Sequence, residues 1–253
     1  MLDDSTLTLD ALTAGVSVFQ RRDGHRFSSD DMMTAFVAAE VCPAPTTVLD
    51  LGCGLGSVLL HLAWTMPAAA LVGVEAQAVS FALLQRNIAH NDFGSRVTVY
   101  HGDLRDPAVR ARIGGPYDLV TGTPPYFPPS TATDALDRQR AYARVEYRGG
   151  VEAYIATGAG ALADDGWMVL CGDADAVHRT SAAAEQYGLA LVSETVVLPR
   201  AGRAPLFSVW VLRHRDAAGH AGCATRRVAL RDEHGDRTAT AKALKAFSGF
   251  AER

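Results

Sequence analysis

The stretch Val48-Leu49-Asp50-Leu51-Gly52-Cys53-Gly54-Leu55-Gly56 decides the fold. Thr47–Leu51 reads as a β-strand, a short apolar run that ends in glycines. Glycines there permit a tight turn and close approach of the backbone to a ligand. The helix expected from Ser57 turns its N-terminus toward the same place. By itself such a turn also suits NAD, FAD or a phosphate. Its spacing, however, is G-x-G-x-G, which differs from the G-x-G-x-x-G of dinucleotide folds.

Working outward, strand-like runs recur at Leu71–Glu75, Arg96–His101, Tyr117–Thr121, Trp167–Cys171, Leu189–Leu198 and Leu206–Arg213. Helical stretches separate the first five runs: Ser57–Thr65, Ala78–Asn91, a short one near Leu104–Arg112, and Val151–Ala163. Apolar strands alternating with helices imply βαβ units and a mostly parallel sheet with helices on both faces. The fold class expected is therefore α/β, with a seven-stranded sheet. A further helix over 173–187 precedes the last two strands, which are joined by the turn Pro199–Arg203 and should form an antiparallel edge pair. Residues 226–231 can add a strand, and Ala239–Phe250 a final helix. Upstream, residues 16–27 read as a hairpin turning at Asp23-Gly24. Ser28 or Ser29 caps a helix over Asp30–Val41, closed by Pro43 and Pro45. This divides the chain into a hairpin and cap helix (1–45) and one folded unit (46–253).

The bulk figures agree with that outline. At 253 residues the chain is long enough for one α/β domain with small additions. Its hydrophobic and charged fractions, 48% and 21%, are those of an ordinary globular protein. No apolar run approaches the roughly 18 residues of a membrane span, so no membrane association is expected. The acidic, polar Met1–Asp10 is unlike a secretory signal, which points to the cytoplasm. Cys42, Cys53, Cys171 and Cys223 form no CxxC pair, and the eight histidines are scattered. Free buried thiols and no metal are therefore expected. A monomer is compatible with all of this. Residues 200–253 carry 11 basic and 5 acidic groups, against 13 and 23 in residues 1–199. The C-terminal part could face an anionic partner such as RNA, or simply be a solvated lobe.

Ligands of open α/β sheets lie beyond the carboxyl ends of the strands, at the switch in strand order. The candidate groups fall there. Asp50, Gly52, Gly54 and Gly56 follow the first sheet strand, with Asp50 ordering the loop or meeting a ligand's amino group. Glu75 ends the next strand, where a carboxylate can accept both hydroxyls of a ribose. Asp103 follows the third strand, placed for an exocyclic amine or as a helix cap. After the fourth strand comes Thr123-Pro124-Pro125-Tyr126. Its two prolines fix φ and remove two donors, so the loop is stiff and its carbonyls stay free to accept. Tyr126 offers a flat face on which a base could stack.

With these motifs in place, the chain resembles class I S-adenosylmethionine-dependent methyltransferases that carry an (Asn/Asp/Ser)-Pro-Pro-(Tyr/Phe) loop. That group includes adenine-N6 nucleic-acid enzymes and glutamine-N5 protein enzymes. It is most similar to the bacterial tRNA (valine) adenine-N6 methyltransferase family. The opening segment Gln20-Arg21-Arg22-Asp23-Gly24-His25-Arg26-Phe27-Ser28-Ser29-Asp30 looks like that family's Q-x-x-x-G-[YH]-R-F-S-x-D, and Ala143–Glu146 and Leu230–Thr238 like its later segments. The resemblance implies a Rossmann-like class I fold, S-adenosyl-L-methionine as cofactor, and in-line methyl transfer to an adenine amine in RNA, here tRNA. It implies that Arg26, Phe27 and Asp30 close over the cofactor. It also implies that the first side chain of the loop and the first proline's carbonyl accept from the amine. Thr123 stands where the family usually has Asn, with a shorter, β-branched hydroxyl. Rival functions are methylation of a protein glutamine amide or small planar amine, and a catalytically weak cofactor-binding module for RNA or a partner. Arg138, Arg140, Arg144 and Arg148 follow the loop and could meet phosphates, diluted by Asp134, Asp137 and Glu146. Trp64, Trp167 and Trp210 read as core.

Overall fold

In the computed structural model, residues 3–127, 137–219 and 222–250 are described. Strands β1 (Leu7–Ala11) and β2 (Ser17–Arg21) form an antiparallel ribbon, followed by α1 (Ser29–Val41). Then come β3 (Thr47–Leu51), α2 (Ser57–Thr65), β4 (Ala70–Glu75), α3 (Ala78–His90), β5 (Val97–His101), α4 (Pro107–Ile113) and β6 (Tyr117–Gly122). The chain continues through α5 (Arg138–Arg144), α6 (Val151–Ala159), β7 (Leu162–Gly172), α7 (Val177–Gln186), β8 (Leu189–Leu198) and β9 (Phe207–His214). A short α8 (Arg215–Ala218), β10 (Ala224–Ala229) and α9 (Ala239–Phe247) complete it.

The main sheet runs β10-β8-β9-β7-β6-β3-β4-β5, with β9 the one antiparallel member among the described strands. Two expectations change. The sheet has eight strands, not seven, because Ala224–Ala229 pairs parallel with β8. The antiparallel pair β8–β9 is accordingly not the edge; β10 covers it, and its exposed end carries Arg226 and Arg227, charges that blunt a free strand edge. The hairpin also lies earlier than residues 16–27. Leu7–Ala11 supplies its first strand, and Asp23-Gly24 falls in a bend beyond its second. Leu7 is buried while Leu9 on the same face is half exposed, so β1 lacks the alternation that marks a half-buried strand.

Alternate strand residues serve opposite faces. Val48, Leu119, Val169, Val209 and Val211 pack in one core beneath α1, α2, α3 and α9. Leu49, Val120, Met168, Leu170 and Leu212, with Trp210, pack in the other, beneath α4, α6 and α7. Trp210 is fully buried, whereas Trp64 and Trp167 lie partly buried against the first core. The thiols are free, with Cys53 and Cys171 buried, Cys42 half-buried and Cys223 exposed, the last against expectation. Because β4 and β5 lie to one side of β3 while β6 lies to the other, strand order reverses between β3 and β6.

Candidate active site

At that reversal the loops after β3 and β6 line a cleft that is open to solvent. Gly52 and Gly54 have φ of 62° and 57°. The Tyr154 side chain occupies the space a Cβ at Gly52 would need, whereas Gly54 faces open space. Glu75 closes the floor. It is 5% exposed, and its carboxylate accepts the amides of Gly54 (2.9 Å) and Gln77 (2.6 Å). Burial holds its carboxyl above the ordinary range, against the pull of those two amides.

The cleft is walled by Gly52–Leu55, Ser57, Glu75, Gly102 and Leu104 from the strand ends, and by Thr123, Pro125 and Tyr154 beyond β6. Segments distant in sequence complete it: His25, Phe27 and Asp31 before β3, and Tyr142, Ala143 and Arg148 after the Pro-Pro loop. Within it the Arg148 Nη1 is buried with no hydrogen-bond partner among the described residues.

A second cleft adjoins the first. Gly24–Arg26, Ser28, Asp30, Asp31, Thr123, Pro124, Tyr126, Phe127, Arg140, Ala143 and Arg144 line it. The two clefts share His25, Asp31, Thr123 and Ala143. Thr123 therefore stands where they meet, with Pro125 facing the first and Pro124 the second. Tyr126 is half-buried, and burial pushes its hydroxyl to a higher pKa. Its ring stands 5.2 Å from that of Phe127, which is 40% exposed.

Three sequence-named residues do not line the first cleft. Asp50 does not line either cleft. It is 1% exposed under the glycine turn and accepts the Thr121 hydroxyl (2.8 Å), and its Oδ2 has no hydrogen-bond partner among the described residues. Burial raises its pKa to about 7. Asp103 pairs with Arg105 (2.7 Å) at the rim while its neighbours Gly102 and Leu104 face the cleft; Asp106, not Asp103, caps α4. The Arg105 guanidinium holds the Asp103 carboxyl below its usual value. Arg26 faces the second cleft, bonded to Asp10 (3.0 Å) and Thr8 (2.9 Å). Phe27 lines the first cleft.

The post-loop segment folds back as α5, which the sequence reading left without an element. Arg21 pairs with Asp137 (2.8 Å), Arg140 donates to the carbonyls of Asp23 (3.2 Å) and Gly24 (3.3 Å), and Gln139 donates to Ser80 (3.1 Å). Arg140 and Arg144 consequently face the second cleft and Arg148 the first. The Arg138 side chain, Pro128, Pro129 and Asp134 lie outside the described residues. Sequence reasoning did not single out His25 or Asp31, although both stand in or beside the opening motif. Tyr154 carried no signal at all.

Residues 48–145 match a methyltransferase domain family. A tRNA1(Val) (adenine(37)-N6)-methyltransferase from Porphyromonas gingivalis is 30% identical over 169 residues, 66% of each chain. A release factor glutamine methyltransferase from Geobacter sulfurreducens is 40% identical over 86 residues, 34% of this chain and 28% of that one. Among solved structures, a predicted O-methyltransferase from Agrobacterium tumefaciens superposes with a TM-score of 0.67 at 19% identity, covering 88% of this chain and 99% of that one. TYW2 from P. horikoshii, in complex with MeSAdo, gives 0.56 at 18% identity, covering 84% and 72%. These structures share the fold. The site itself fits S-adenosylmethionine. The Glu75 carboxylate in the first cleft suits a ligand bearing ribose hydroxyls and a cation better than one placing a pyrophosphate there. The open space over Gly54 leaves the backbone approachable. Domain match, relatives and fold together show that the chain belongs to the class I S-adenosylmethionine-dependent methyltransferases.

Proposed function

We propose that the protein transfers a methyl group from S-adenosylmethionine to the N6 amine of adenine in RNA, most specifically a tRNA, in the cytoplasm. One observation carries this reading. The cofactor cleft opens at Thr123 into a second cleft that joins an aromatic ring, Tyr126, to three arginines, Arg26, Arg140 and Arg144. A flat base and the phosphates beside it need that combination.

In this reading Glu75 accepts the ribose hydroxyls, and Gly52, Gly54 and Gly56 let the backbone approach the cofactor. Phe27 covers it, and Gly102, Leu104 and Arg148 border its adenine end. Asp50 supports the turn from below. Asp103, which its place after the third strand would put on the cofactor, and Arg26, which the resemblance would put there, act instead at the rim and on the nucleic-acid side. The bound cofactor supplies an electrophilic methyl group on a sulfonium. Tyr126 stacks on the target base, which is worth about 1–3 kcal/mol per base in single-strand binding. The Thr123 hydroxyl and the Pro124 carbonyl accept from the amine and hold its lone pair toward the methyl. Such positioning and electrostatics account for much of the acceleration without a strong base.

The test is incubation with isotopically labelled S-adenosylmethionine and unmodified total tRNA, then digestion to nucleosides and mass spectrometry. Labelled N6-methyladenosine is the expected product. Label in a protein glutamine would replace the RNA reading by the amide one. Cofactor binding with no transfer to either would leave a binding module.

A further inference from the structure

The junction between the two clefts contains a carboxyl group that the proposed chemistry does not yet use. Asp31 is 7% exposed and borders both clefts, together with Thr123, His25 and Ala143. It occupies the third helical position of α1, where its Oδ2 accepts the Ser28 amide (3.0 Å). That bond and the helix N-terminus fix the side chain and favour its anion. Among the four shared residues, the polar side chains are an imidazole, a carboxyl and a hydroxyl. A primary aromatic amine brings two N–H donors and one lone pair. The Thr123 hydroxyl and the Pro124 carbonyl accept both donors, and neither can take a proton from the amine once it is methylated.

Resting on the amine-methylation reading, we propose that Asp31 is the proton acceptor for the substrate amine. Its carboxylate stands beside the Thr123 and Pro124 acceptors and takes the proton that neither of them can. In the transfer a nitrogen–carbon bond forms as the sulfur–carbon bond breaks, the electron pair of the latter going to sulfur. The nitrogen, now positive, gives a proton to the Asp31 carboxylate, which releases it to solvent.

This role requires Asp31 to be ionised. Burial opposes that and raises its pKa to about 8. Asp30 on the same helix and Asp50 from β3 add repulsion, whereas the Ser28 amide and the Ser57 hydroxyl stabilise the anion. The Cys171 thiol from β7 also faces it and is kept protonated by its own burial. His25 is held neutral by burial, with Asp30, Arg140 and Arg144 around it. Transfer should therefore gain speed as pH rises toward 8 and then level off.

Asp31→Asn keeps the acceptor for Ser28 but cannot take the proton. The expected result is a single-turnover rate on tRNA about 100-fold lower, the size of a general acid–base contribution. Its pH dependence should be flat, and S-adenosylmethionine affinity by calorimetry within twofold of the parent. A tenfold weaker cofactor affinity with an unchanged pH profile would overturn the proposal and assign Asp31 to the cofactor's ammonium. So would an unchanged rate. Failure of the RNA reading shows separately, as absence of label in tRNA with the unsubstituted protein. If Asp31→Asn does not fold, carbon-13 NMR of labelled aspartate in the parent protein decides. With S-adenosylhomocysteine bound, adding adenosine monophosphate should shift a carboxyl resonance that titrates above pH 7. No such shift would contradict the assignment.

Discussion

The two clefts that meet at Thr123 are built in opposite ways. The cofactor cleft takes its floor from the ends of consecutive strands, β3, β4 and β5, and much of that floor is backbone around a buried Glu75. The second cleft is lined by three segments far apart in the chain, residues 24–31, 123–127 and 140–144. Clasps such as Arg21–Asp137 and Arg140 to the Asp23 carbonyl hold two of those segments together. Its polar lining includes arginines that stand half in water. A cleft of strand ends is rigid and indifferent to most side-chain changes. A cleft of clasped segments can change its specificity through a few of them.

The largest effect should fall on the cofactor side. Glu75→Ala removes up to two hydrogen bonds to a charged group, each worth about 1.5–3 kcal/mol. Calorimetry should show S-adenosylmethionine affinity reduced about 100-fold. A change of less than threefold would break the proposed division between the clefts. Next is Thr123→Val, which keeps the shape and deletes the hydroxyl. Transfer should slow about tenfold, as for loss of one hydrogen bond, with cofactor affinity unaltered. Weakened cofactor binding would move Thr123 from the junction into the cofactor's own site.

The arginines should give a smaller, salt-dependent effect. Replacing Arg140 and Arg144 together by Ala should weaken tRNA binding several-fold and flatten the salt slope by about 2. Equal losses at every salt concentration would point to collapse of the α5 clasp instead of lost phosphate contacts.

The smallest effect concerns stability. Burial holds Asp50 at about 7 in the folded chain, against 3.8 for a free carboxyl. Between those values the unfolded chain is ionised while the folded one holds its proton, so stability falls as pH rises through that window. Asp50→Asn should flatten the fall and raise the cofactor-free melting temperature at pH 8 by about 2–4 °C per kcal/mol recovered. An unchanged pH slope would show that Asp50 is not held neutral.

The same contrast explains what was legible in the sequence. Thr47–Leu51, Ser57–Thr65 and Leu189–Leu198 were read to the residue, because apolar runs and glycine turns mark such elements locally. Glu75 and Thr123, which line the first cleft, were named from their places after strands. Ala224–Ala229 was harder, since its identity as an edge strand depends on β8, some 30 residues earlier. Likewise, α5 is short and rich in arginine, and its position follows from partners near residues 21–24, more than a hundred residues away. Asp31 sits beside a recognised motif position, yet only the packing of α1 against α2 and the sheet turns it to the junction. Asp50 and Asp103 show the reverse case: the strand-end rule found them, but Thr121 and Arg105 determine where their carboxyls point.

The most direct test of the central claim is a crystal structure with S-adenosylhomocysteine. The Glu75 carboxylate should lie within hydrogen-bond distance of the ribose hydroxyls, and the sulfur should point to the junction formed by His25, Asp31 and Thr123. A ribose bound away from Glu75, or a sulfur facing away from Thr123, would contradict the account.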